Sequence, residues 1–215
     1  MSGIFGLFNQ DGAPVSWDEV GQMAALLARR GPDGTRVWRA GPVGLGHTLL
    51  ATTPDSLLER VPLRHDPSGC VITADVRLDN RAELLEALGL SSGASTTGDA
   101  ALVLAAYLAW DDRCVEHLLG DFAFAIWDGR TQELFCARDR VGKKPLVYAE
   151  TGDAFVFASE IKALLASGWI QRNPDMNWIY RFVTRGAVDW DERTALSGGS
   201  SLLPGHNMTV DASGK

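Results

Sequence analysis

Phe122-Ala123-Phe124-Ala125-Ile126-Trp127, then Asp128-Gly129-Arg130-Thr131-Gln132, then Glu133-Leu134-Phe135-Cys136-Ala137-Arg138 reads as two strands flanking a polar turn. A second pair follows at once, Leu146 to Glu150 and Ala154 to Ala158 across Thr151-Gly152-Asp153. Turns this short join antiparallel neighbours, so the sheets are expected to be antiparallel. Upstream the period changes. Ser16 with Glu19 forms a capping box, Val20, Met23, Ala24 and Leu27 recur at helical spacing, and Gly31-Pro32 should stop that helix. A second helix is expected from Asn80 to near Gly89 and a third from Asp99 to Trp110. Strand runs with helices packed outside them describe an α+β fold.

The 215 residues, 46% hydrophobic and 22% charged, suit one globular domain over residues 1–215. A net charge of -7 and a pI near 5.1 argue against a nucleic-acid partner, which wants clustered Lys and Arg. Cys70, Cys114 and Cys136 are few, odd in number and set among apolar neighbours, so they read as buried thiols of a reducing compartment. The N-terminus lacks the pattern of a signal peptide, and the longest apolar run, Ala100 to Trp110, is too short for a bilayer. A cytoplasmic location without a membrane partner is expected. No metal site is expected either, because His47, His65, His117 and His206 lack ligand spacing. Gly41 to Gly46 reads as a tight turn rather than a phosphate loop, Ser91 to Gly98 as a surface loop, and Ser197 to Ser201 as a turn. Trp178, Tyr180, Phe182 and Trp190 lie at near-helical spacing and serve either the core or a docking surface.

The chain opens Met1-Ser2-Gly3-Ile4-Phe5-Gly6. Removal of Met1 would leave Ser2 with a free α-amine, which titrates near 7.7 to 8.0 and can take the proton of its own hydroxyl. Arg29 to Gly34, Gly46 to Leu50, Leu78 to Asn80, Gly98-Asp99, Leu119 to Asp128, Ala137 to Leu146, Phe157 to Leu164 and Leu203 to His206 follow in order. Together these segments resemble the N-terminal, class II glutamine amidotransferase domain of asparagine synthetases over nearly the whole chain. The resemblance implies an N-terminal-nucleophile hydrolase fold, a four-layer αββα sandwich of two antiparallel sheets.

Against that family pattern the pocket departs at several positions. The nucleophile is Ser2 where the family has cysteine. Leu49 replaces the arginine that clamps the glutamine α-carboxylate, a loss worth roughly 2 to 5 kcal/mol. Asp75 and Val76 replace the Asn-Gly pair of the oxyanion hole, where a carboxylate would repel the developing charge and each lost donor costs about a hundred- to a thousand-fold. Asp99 matches the family's substrate-contacting aspartate, but at the start of a helix it equally suits the dipole. Arg138-Asp139-Arg140 and Ser159-Glu160-Ile161-Lys162 match segments that face the synthetase domain, and otherwise read as surface ion pairs worth about 0 to 1 kcal/mol.

These departures are similar to those of asparagine-synthetase-like lasso peptide cyclases, in which another amine attacks and no ammonia is needed. The expectation is therefore a degenerate glutaminase-like domain with a structural or docking role. It would belong to an ATP-dependent amide-forming enzyme, a lasso peptide macrolactam (isopeptide) cyclase. The synthetase (ATP pyrophosphatase) domain is expected in cis or trans, outside this chain, with ATP and Mg as its cofactors and none in this domain. A precursor peptide and its processing protease are the implied further partners. The alternatives are an active N-terminal-serine amidohydrolase and a true glutamine-hydrolysing asparagine synthetase.

Overall fold

The structure, a computed structural model, describes residues 1–52, 56, 59–90, 98–166, 168–186 and 191–214. In chain order the strands are β1 (Gly3–Asn9), β2 (Gly34–Ala40), β3 (Val43–Leu49), β4 (Leu63–His65), β5 (Cys70–Leu78) and β6 (Gly120–Asp128). They continue with β7 (Glu133–Arg138), β8 (Val147–Thr151), β9 (Ala154–Ala158), β10 (Ser200–Ser201) and β11 (Asn207–Val210). The helices are α1 (Trp17–Leu27), α2 (Arg81–Ala87), α3 (Asp99–Trp110), α4 (Ile161–Ala166) and α5 (Met176–Arg185). Among the described residues the strands form two antiparallel sheets, ordered β10-β8-β9-β1-β3-β2 and β11-β7-β6-β5-β4.

Alternation along each strand builds the layers, because successive side chains leave opposite faces. On β1, Ile4 and Phe8 face the second sheet and pack with Val71, Ala125 and Trp127. Phe5 and Leu7 face outward onto Val20, Met23 and Leu27 of α1 and Leu164 of α4. On the second sheet, Ile72, Phe124 and Ile126 turn outward onto Leu84 of α2 and Leu102, Val103 and Ala106 of α3. Three apolar layers thus separate helix, sheet, sheet and helix. The approach of the central strands depends on missing side chains: a Cβ on Gly46 would lie 2.1 Å from the Phe5 ring, and one on Gly6 2.4 Å from Phe157.

The hairpins fall where the strand pattern puts them, β6·β7 and β8·β9. Ser16 closes its capping box with Glu19, at 3.2 and 2.8 Å. α1 nevertheless ends at Leu27 rather than at Gly31-Pro32, because the Arg30 amide returns to the Leu27 carbonyl at 2.8 Å and closes the last turn. Asn80 stands at the N-cap of α2 without capping it. Its amide donates to His117 O at 2.9 Å and its carbonyl accepts from Leu119 N at 3.1 Å, so a tertiary bridge displaces the local cap. Gly41 forms the β2–β3 turn with φ of 53°, and Ser197-Gly198 turns into β10. Most of the loop expected at Ser91 to Gly98, and Trp190, lie outside the described residues. Cys70, Cys114 and Cys136 are buried free thiols. Among the described residues no helix is long and apolar enough to cross a membrane.

Candidate active site

Residue 2 leads into the central strand of the first sheet, and the chain holds it from several sides. Ser2 is 9% exposed, and its Oγ accepts the Leu50 amide at 3.1 Å. Arg30 Nε donates to the Ser2 carbonyl at 2.6 Å. One residue on, a Cβ at Gly3 would lie 2.7 Å from Thr48 Oγ1 and 3.1 Å from Arg30 Cδ, so only glycine fits. Ile4 is fixed by Ser159, whose Oγ accepts Ile4 N at 2.9 Å and whose amide donates to Ile4 O at 2.8 Å. A hydroxyl so placed has one amide donor aimed at it, and the base available to it is the α-amine that removal of Met1 would free.

A buried charge cluster crosses from Arg30 to the second sheet. Arg30 Nη1 binds Glu160 at 3.1 Å, and Nη2 stands 3.7 Å from Asp75 Oδ2 on β5. Lys144 Nζ meets Asp75 Oδ1 at 2.7 Å. The side chains of Arg30, Asp75 and Lys144 are 9%, 6% and 13% exposed. Lys162 adds a 2.6 Å contact to Glu160. Burial alone would raise the Glu160 carboxyl, but Lys162 and Arg30 outweigh it and hold it below the usual range. Asp75 is thus one half of a short ion pair whose two side chains are 6% and 13% exposed.

The loop carrying Lys144 explains the neighbouring charges. Asp139 accepts the amides of Val141, Lys143 and Lys144, each at 3.0 Å. Arg138 donates to the carbonyls of Lys144, Gly142 and Leu202 at 2.8, 2.9 and 2.7 Å. Both side chains are buried. Both therefore act as internal fasteners of the loop.

Leu49 is the last residue of β3, and since Gly3 pairs with Thr48 it is the next position alongside Ser2. Val76 packs its side chain into the outer core of the second sheet, away from the Asp75 face. Asp99 opens α3; it accepts Leu78 N at 2.9 Å and pairs with Arg81. Ser2 and Asp75 are thus gathered around Arg30 with Leu49 in the strand position beside Ser2, whereas the contacts of Asp99 run to Leu78 and Arg81. Arg30, Lys144, Glu160 and Ser159 are hidden within segments that carry the family resemblance; only tertiary contact singles them out. On β3, burial and the Arg36 charge lower the His47 pKa to about 4. Among the described residues no group of three or more His, Cys, Asp or Glu side chains could hold a metal ion.

Two antiparallel sheets stacked between outer helices, with residue 2 at the head of an inner strand, have the fold of the N-terminal-nucleophile hydrolases. The glutamine amidotransferase domain family matches residues 1–215, and the chain belongs to that family. It is similar to the glutamine-hydrolyzing asparagine synthetase 3 of Bacillus subtilis (strain 168), 32% identical over 201 residues, 90% of this chain and 32% of that one. Amidase chyE of Penicillium rubens is 30% identical over 191 residues, 89% and 28% of the respective chains. The chain spans about a third of the length of these curated relatives. Among solved structures, the allosteric regulatory enzyme of purine biosynthesis superposes with a TM-score of 0.68 at 19% identity, over 99% of this chain and 47% of that one. Glutamine phosphoribosylpyrophosphate amidotransferase from B. subtilis gives 0.61 at 20%, over 77% and 43%. At that identity the likeness shows the fold.

Proposed function

We propose that this chain is a degenerate glutaminase-like domain of an asparagine-synthetase-type, ATP-dependent amide-forming enzyme, of the lasso peptide macrolactam cyclase kind. It serves as scaffold and docking element and does not hydrolyse glutamine efficiently. The observation that carries this reading is the side-chain chemistry beside Ser2. An apolar Leu49 occupies the neighbouring strand position, and Asp75 is already paired with Lys144 inside the protein. A free amino acid brings a carboxylate and an ammonium that need partners when desolvated, and Leu49 supplies neither. The amine that attacks the activated carboxyl group then belongs to the substrate itself. The synthetase portion, in cis or trans, carries ATP and Mg, with a precursor peptide and its processing protease as further partners.

The test is ammonia release from glutamine by the processed protein and by Ser2→Ala. Release at the Ser2→Ala level is expected; Ser2-dependent release would overturn the scaffold role. A second reading, a working N-terminal-serine amidohydrolase, is supported by the buried Ser2 hydroxyl with its Leu50 amide donor and by the similarity to proteins named amidases. Ser2-dependent hydrolysis within a panel of apolar amides would establish it. An intact mass that retains Met1 would exclude it, because the amine would be blocked.

A further inference from the structure

The edge of the first sheet carries a trough that the site around Ser2 does not use. β10 is only two residues long and covers β8 at Val147 and Tyr148 alone. The Leu202 amide donates to Leu146 O at 2.9 Å. In an antiparallel ladder the bonded pairs recur every second residue, so Tyr148 and then Glu150 turn their amide and carbonyl to this same outer edge. Opposite Glu150 the chain has left the ladder: Gly198 has a φ of 90°, and Gly199 N donates to Leu196 O at 3.4 Å within the turn. A cavity of about 760 Å³ lies along this opening, between Tyr148 to Glu150, the Ser197–Ser200 segment and the start of α5. Met176, 67% exposed, stands on the helical wall.

We propose that this trough docks an extended peptide segment bearing Lys or Arg, which adds to the outer edge of β8. An open strand edge offers main-chain donors and acceptors in the geometry an extended segment satisfies. The charge choice follows from the walls, which among the described lining residues carry three carboxylates, Glu150, Asp175 and Glu192, against one guanidinium, Arg193. Asp175 is engaged as the α5 cap and Glu192 accepts the Tyr148 hydroxyl at 3.1 Å, and both residues line the cavity. The Asp211–Gly214 turn bounds the far end, where a Cβ on Gly214 would lie 3.0 Å from the Glu150 carboxylate. This role goes beyond the scaffold reading and holds whether or not Ser2 turns over.

The test is fluorescence anisotropy on the full chain, without ATP, using a labelled peptide of alternating Thr and Lys and its Thr-Glu counterpart. Saturable binding of the Lys peptide alone is expected. Glu150→Pro removes the outward amide while sparing the bonds to β9, as edge prolines do, and should weaken binding about tenfold or more. Ser197→Trp, which fills the trough from an exposed turn, should do the same and guards against a misfolded proline variant. Equal binding of both peptides, or unchanged affinity in both variants, overturns the proposal. A concentration-dependent dimer abolished by Glu150→Pro would overturn it too, by assigning the edge to a second copy of this chain.

Discussion

At the residue scale, Asp75, Lys144 and His47 place ionisable groups in the interior. Asp75 and Lys144 face each other at 2.7 Å, with side chains 6% and 13% exposed. Removing one member of a buried pair leaves the other desolvated without compensation, at about 3–5 kcal/mol. Lys144→Met should therefore lower the urea midpoint sharply, while the double variant that combines Lys144→Met with Asp75→Leu should recover part of the loss. His47 answers to pH. Its folded pKa of about 4 lies below the ordinary 6.5, so the unfolded chain binds the extra proton first. The stability it contributes is complete above pH 6.5 and is lost as pH falls toward 4. Urea midpoints across that window should fall less steeply for His47→Gln than for the parent. Of these residues only Asp75 stands out in the sequence. A lysine that lies 69 positions away becomes its partner through folding alone.

Elements were legible to the extent that their signals are local. The capping box of α1 needs four consecutive residues, and Ser16→Ala should cost about 1 kcal/mol by thermal denaturation. The start of α2 came from the local pattern, but the bonds of Asn80 to His117 and Leu119 are ones that no local pattern contains. The central strands β1 and β3 depend on glycines whose need is likewise nonlocal. Gly46→Ala would drive a methyl group into the Phe5 ring and should destabilise by about 1–3 kcal/mol or more, read from chemical denaturation. The same replacement at Gly21, an exposed position on α1 with open space around it, should be neutral or stabilising. The contrast separates packing from backbone propensity.

At the scale of the molecule, the two sheets are joined by apolar packing and by a few directed bonds. Thr73 Oγ1 on β5 donates to Gly46 O on β3 at 2.8 Å, across the sandwich. Thr73→Val keeps the shape and leaves a buried carbonyl without that donor, so a loss of about 1–3 kcal/mol is expected in the unfolding free energy. Alternating apolar residues, short turns and capping signals determined the fold class from the sequence by itself, because each acts within a few residues. The ordered segments from Ser2 to His206 also determined the family resemblance. Only the tertiary structure decided which groups surround Ser2. Arg30, Asp75, Lys144 and Glu160 come from a turn, a strand, a loop and a helix start, and folding alone brings their charges within reach of one another. The same holds for the open edge of β8: an uncovered amide is defined by the strand that fails to pair with it, and pairing is a property of the assembled sheet.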